Sequence, residues 1–156
     1  MNARFFRKLL TIFLLLTIQT GYGQYILNGS AQKVSCNCYT LTDESINQSG
    51  SVWNSNKIDL SQSFDFWFTV FLGCRDAVGA DGIVFILQPV STSVGTTGEG
   101  MGFGGVSPSV GIALDTWQNL NQNDPDFDHI SIQLNGSINH AGDLAGPVPA
   151  SIASNN

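Results

Sequence analysis

Three stretches of this 156-residue chain set large apolar residues on one parity, the two-residue period of a β-strand, which leaves an all-β fold as the main option. Phe64, Phe66, Phe68, Val70 and Leu72 share one parity. Val110, Ile112 and Leu114 share a second, and Ile130, Ile132 and Leu134 a third, with Ser131 and Gln133 turned the other way. Ile83-Val-Phe-Ile-Leu87 is instead a continuous run of β-formers between Gly82 and Pro89, the pattern of a fully buried strand. Outside the first residues no window carries a helical period. Two loops separate the strands, one glycine-rich from Gly95 to Gly105 and one rich in Asn and Asp from Gln118 to Asp128. Both are expected to be ordered binding loops rather than flexible linkers. The tail, residues 146–156, reads as a connector that ends without a final strand. With only 133 residues after residue 23, against the roughly 200 to 250 that many all-β sandwiches use, the sequence is expected to be part of a longer protein.

Arg4, Arg7 and Lys8 precede an apolar run from Leu9 to Ile18, and Gly21-Tyr-Gly23 offers the small residues that a signal peptidase reads. Residues 1–23 are therefore expected to be a cleaved secretory signal, since the run is about half the roughly 20 residues that a membrane span needs. No later segment is long and apolar enough to span a bilayer. Cleavage leaves Lys33, Lys57 and Arg75 against all twelve acidic residues, a net charge of about −9. Such a balance disfavours nucleic-acid and anionic-membrane partners. Cys36, Cys38 and Cys74 agree with an oxidising, extracellular compartment. The preferred pairing is Cys38 with Cys74, Cys36 with Cys74 being the alternative. Three thiols without a nearby histidine do not make a zinc site.

The chemistry concentrates in Ala113-Leu-Asp-Thr-Trp-Gln-Asn119 and the residues that follow it, Asp124 and His129. Asp115, Trp117 and Asn119 share one parity, so an extended backbone projects the carboxylate and the amide to the same side. Together with a backbone carbonyl and Asp124 they make an all-oxygen set of the kind that Ca²⁺ takes. Asp124, Asp126 and Asp128 crowd a loop with no Lys or Arg nearby, an arrangement that calls for a cation or for solvent. The spacing is not that of an EF-hand.

Asp115-x-Trp117-x-Asn119-x4-Asp124-x4-His129 resembles the metal loop of the L-type, or legume-type, lectins. Gly79-Ala-Asp-Gly-Ile-Val-Phe-Ile-Leu-Gln-Pro89 is similar to a second motif of that family, and Gly98-Glu-Gly-Met-Gly-Phe-Gly-Gly105 to its glycine loop. Tyr39-Thr-Leu-Thr42 and Gly50-Ser-Val-Trp53 further resemble its bacterial branch, whose members are secreted or surface proteins. The match runs from about Gln24 to the end of the chain. It implies a concanavalin A-like β-sandwich (jelly roll), with residues 24–156 as the N-terminal portion of the domain.

The resemblance also implies roles. Asp81, following a peptide bond Ala80–Asp81 that is usually cis in the family, would accept hydrogen bonds from two sugar hydroxyls. Ca²⁺ would be held by Asp115, the Trp117 carbonyl, Asn119 and Asp124. Asn119 would also donate to the sugar, the Trp117 ring would stack on a pyranose face, and a backbone N–H of Gly98 or Gly100 would complete the contacts. Ala113 stands where legume lectins place a glutamate on a transition metal. The expectation is therefore one Ca²⁺ and no tightly held second ion, with His129 a ligand only if Mn²⁺ binds. Glycans or glycoconjugates are the implied partners. Two other readings remain: a sugar-blind adhesion or structural module of the same fold, and a glycoside hydrolase. The latter is disfavoured because Glu44 and Glu99 lie in separate loops rather than forming a paired carboxylate site.

Overall fold

A computed structural model describes residues 25–75 and 78–150; the expected signal, residues 1–23, lies outside the described residues. The architecture is all-β and antiparallel, a concanavalin A-like sandwich. Two short pairs come first: β1 (Tyr25–Gly29) with β4 (Gly50–Asn54), and β2 (Gln32–Ser35) with β3 (Cys38–Thr40). A four-stranded sheet follows in chain order, β5 (Gly82–Leu87), β6 (Val110–Asp115), β7 (His129–Leu134) and β8 (Ala145–Pro149). The side chain of Asn28 in β1 donates to the Thr92 carbonyl at 2.8 Å, tying the first pair to the loop after β5.

The period-2 patterns locate β6 and β7 as expected, yet the face they bury is the opposite one. His129, Ser131 and Gln133 are buried in β7, whereas Ile130, Ile132 and Leu134 are half-buried. In β6, Gly111, Ala113 and Asp115 are buried while Val110 and Ile112 are exposed. Burial here is decided by what covers each face. The glycine loop lies over the polar face, with Phe103 fully enclosed against Gly111, where a Cβ would come within 2.7 Å of the ring. On the apolar face the cover is partial: Phe66 and Phe68 set their rings 5.5 and 5.4 Å from that of Phe85, and Phe64 lies against Phe66.

Three expected elements take other forms. Residues 64–72 supply those rings but pair with no strand among the described residues, so the expected strand is an unpaired strap. β5 is half-buried rather than enclosed, because it is an edge that bonds only to β6. Ala145–Pro149, read as connector, is a strand. It occupies the other edge, where Pro147 and Pro149 are tolerated because an edge strand can leave one row of its backbone unpaired. The expected Cys38–Cys74 bridge is not formed: Cys36, Cys38 and Cys74 are exposed and unbridged, Cys38 being held against Ser35 across the β2–β3 hairpin.

Candidate functional site

One end of the four-stranded sheet gathers most of the residues that the sequence singles out. Gly82 pairs with Asp115, Asp115 with His129, and His129 with Pro149, so a single rung runs across all four strands. The Ala80–Asp81 peptide bond is cis, as the resemblance implies. Gly82 follows with φ +137°, and a Cβ there would lie 2.3 Å from the Leu114 carbonyl oxygen; only glycine lets the chain enter β5 so close to β6. The backbone N–H of Thr116 donates to the Asp81 carbonyl at 3.0 Å. Asp81 is thereby fastened to the loop that carries Asp115, Trp117 and Asn119.

That loop is folded by its own carboxylates. Asp115 Oδ1 accepts the Trp117 N–H at 3.0 Å, and Asp124 Oδ2 accepts the Asn119 N–H at 2.8 Å. Residues Leu120–Gln122 form one 3-10 turn, closed by the Gln122 N–H on the Asn119 carbonyl. Trp117 is 42% exposed and is not part of a core. Asp81 and Asn119 are half-buried, and Gly98 is exposed with open space around it. Gly100 is buried.

The glycine loop is ordered, as expected. Met101 N–H bonds back to Gly98, Gly102 N–H to Thr96, and Phe103 and Gly104 N–H to Gly100. Glu99 at its tip accepts from the amides of Asn121 at 3.1 Å and Gln122 at 3.2 Å, which clamps this loop to the loop after β6. No spacing in the sequence marks Glu99 for this role, and its expected part was only that of an unpaired carboxylate in the disfavoured hydrolase reading. Burial raises the Asp81 carboxyl above its ordinary range, and the charge of Glu99 adds to the effect.

Beneath the surface the structure assembles a four-residue cluster. Asp115, Asp124, His129 and His140 each present one ligand atom, all within 4.8 Å of one another, at exposures of 3%, 8%, 1% and 9%. His140 was not anticipated. It stands on a separate 3-10 turn, His140–Gly142, and no fixed spacing links it to the metal loop. The only signal available was that the chain has two histidines in all, both after the Asp-rich loop. Burial pushes the Asp115 carboxyl up to about 6 against the pull of the Trp117 N–H, with Asp124 adding like charge. Asp124 Oδ1 is enclosed 2.7 Å from His140 Nε2 and 3.3 Å from His129 Nε2, with no hydrogen bond made to either. A buried carboxylate raised by desolvation beside an orphaned carboxylate oxygen is a donor set that fits a bound cation.

With this geometry in place, the family follows. The sequence matches the legume lectin beta-barrel domain over residues 18–155, and the chain belongs to that family. Among curated proteins it is similar to the pesticidal crystal protein Cry22Aa of Bacillus thuringiensis, at 36% identity over 94 residues, covering 59% of this chain and 13% of that protein. It is also similar to the serine-rich adhesin for platelets of Staphylococcus aureus, at 36% identity over 87 residues, covering 53% of this chain and 6% of the adhesin of strain MRSA252. The chain thus spans a small fraction of the length of these relatives. Among the described residues no helix is long and apolar enough to cross a membrane.

Proposed function

We propose that this chain is a secreted or surface-displayed lectin domain that binds a monosaccharide unit of a glycan reversibly through loops organised by Ca²⁺. The observation that carries the reading is the bond from Thr116 N–H to the Asp81 carbonyl. It makes the position of the sugar-accepting carboxylate depend on the fold of the metal loop. Asp115, Asn119, Asp124 and the Trp117 carbonyl would hold Ca²⁺, which supplies positive charge to two buried carboxylates that have only backbone N–H groups and two histidines beside them. Asp81 accepts from sugar hydroxyls, the exposed Trp117 ring offers a stacking surface, and Asn119 donates its amide. Of the two glycines considered, exposed Gly98 suits a ligand contact better than buried Gly100. The adhesin relative agrees with display on a cell surface.

A sugar-blind module of the same fold is favoured by one observation, the charge of Glu99 beside Asp81. Hydrolysis is disfavoured by the engagement of both glutamates elsewhere: Glu44 is exposed and 3.6 Å from Arg75, while Glu99 is held by Asn121 and Gln122. A glycan-array screen of the full-length mature protein, run with Ca²⁺ and again with EDTA, tests the proposal. Signal that disappears with the chelator is the expected result. No signal in either condition from folded protein would leave the sugar-blind module.

A further inference from the structure

Three segments meet at the rim of the proposed sugar site, and together they leave it with more negative charge than a neutral sugar can use. Asp81 stands on the approach to β5. The loop after β6 reaches it through the Thr116 N–H, and the glycine loop reaches it through Met101, whose Sδ lies so near that a Cβ on Gly82 would come within 3.0 Å of it. The tip of the glycine loop, Gly98–Gly100, is built to carry one side chain. Gly98 has φ +64°, and a Cβ on Gly100 would collide with Thr96 Oγ1. The one side chain is Glu99, half-buried and turned to the loop after β6, where Asn121 Nδ2 and Gln122 Nε2 donate to it at 3.1 and 3.2 Å.

Those two amides take half of the roughly four acceptor positions of a carboxylate, so Glu99 keeps lone pairs for a donor that arrives from solvent. Its charge reaches Asp81, whose carboxyl is raised by burial and further by Glu99. No cation of the chain offsets the pair: of the three basic residues outside the expected signal, Arg75 lies 3.6 Å from Glu44, and Lys33 and Lys57 are exposed on other segments. Bound Ca²⁺ would not offset it either, since Asp115 and Asp124 would match its charge. A neutral sugar gains nothing from the second carboxylate, and an acidic sugar is repelled by both. A sugar with a protonated amine in place of a hydroxyl brings the missing positive charge and, like a lysine ammonium, several N–H donors. The exposed Trp117 ring on the adjoining loop favours the same ligand, because an aromatic face attracts a cation as well as stacking on a pyranose.

We propose that Glu99 is the specificity-determining residue of the sugar site and that the preferred ligand is a glycan with a free amino sugar, a hexosamine without its N-acetyl group, whose ammonium lies between Asp81 and Glu99. The inference rests on the lectin reading and names its ligand class. It also gives a binding role to the charge that counts toward a sugar-blind module when neutral sugars alone are considered.

The test is direct binding by the full-length mature protein in Ca²⁺ at about pH 6.5, where an amine is protonated. The probes are glucosamine, galactosamine and mannosamine, each beside its parent hexose and its N-acetyl form, with glucuronate and galacturonate as the anions, all immobilised through one linker. At least one amino sugar should bind roughly tenfold more tightly than both of its neutral counterparts, in keeping with two partly exposed charge contacts, and the uronates should not bind. The advantage should shrink in about 1 M NaCl, where screening acts within ~3 Å. Glu99→Gln should bring the ratio of amino to N-acetyl affinity down to about one, whereas a role confined to clamping the loops would lower both affinities and leave the ratio as it was. The salt series on wild-type protein decides the matter should the variant fail to fold. Neutral sugars bound as well as amino sugars, a preference for the uronates, an advantage unmoved by salt, or a ratio unchanged in Glu99→Gln would overturn this inference and leave the lectin reading standing. No sugar bound in any form by folded protein would overturn both.

Discussion

Asp81 and Asp124 lie at the same end of one sheet and are treated in opposite ways. Asp81 is half-buried, its carbonyl taken by Thr116 and its carboxyl raised by that burial and by the charge of Glu99 at the tip of the glycine loop. Asp124 is enclosed, one oxygen folding the loop through Asn119 N–H and the other facing two imidazoles. The open carboxylate suits a ligand that comes and goes, and the sealed one suits an ion that stays. The contrast shows how a β-sandwich end can couple the two, because the loop shaped by the sealed carboxylate also holds the open one.

The sharpest break in that contrast is Asp124→Ala. It should lose Ca²⁺ and glycan together, each by more than the roughly 10–100-fold that loss of an outer partner costs, in calorimetric titration and glycan retention. Asn119→Ala is expected to lose both as well, since the proposed site has it touch both ligands. If Asp124→Ala keeps glycan binding, the two carboxylates are not coupled.

Next in size is the pH dependence of the metal-free protein. Asp115 has a folded pKa raised from 3.8 to about 6, so between those values the folded chain holds a proton that the unfolded chain has released. Stability in EDTA should therefore fall as pH rises through that window, by an amount on the order of 1–3 kcal/mol, and level off above about 6. Saturating Ca²⁺ should reverse the trend, because it binds the deprotonated form. Urea midpoints at pH 4.5 and 7, with and without Ca²⁺, would check this.

Gly111→Ala probes the cover over the polar face. A Cβ there meets the Phe103 ring at 2.7 Å, and overpacking of this kind costs about 1–3 kcal/mol. Its melting temperature should drop with and without metal alike, which separates packing from ion binding. The smallest effect is expected from Glu99→Gln, which removes a neighbouring charge from Asp81. The Asp81 carboxyl should move part of the way back toward its ordinary value in an NMR titration, the share due to burial remaining.

How much of this was legible in the sequence depends on how local the cause is. Asp115, Trp117, Asn119, Asp124 and His129 sit on one continuous segment whose spacing resembles a metal loop, and the fold brings Asp115, Asp124 and His129 of that set into one buried cluster. His140 reaches the same cluster from a turn beyond β7, and nothing in a linear pattern announces that approach. Likewise, the alternation of Ile130, Ile132 and Leu134 located a strand but not its buried face. That face was set by Phe103 and the glycine loop, which arrive from more than twenty residues earlier. Pro147 and Pro149 argued against a strand because a central strand needs every N–H, and β8 escapes that requirement at the sheet edge.

The most direct test of the account is a paired measurement on Asp81→Ala: Ca²⁺ titration and glycan retention on the same preparation. The account predicts Ca²⁺ affinity close to wild type with glycan binding abolished, since Asp81 touches the sugar and not the ion. Glycan retention equal to wild type would contradict the proposed site.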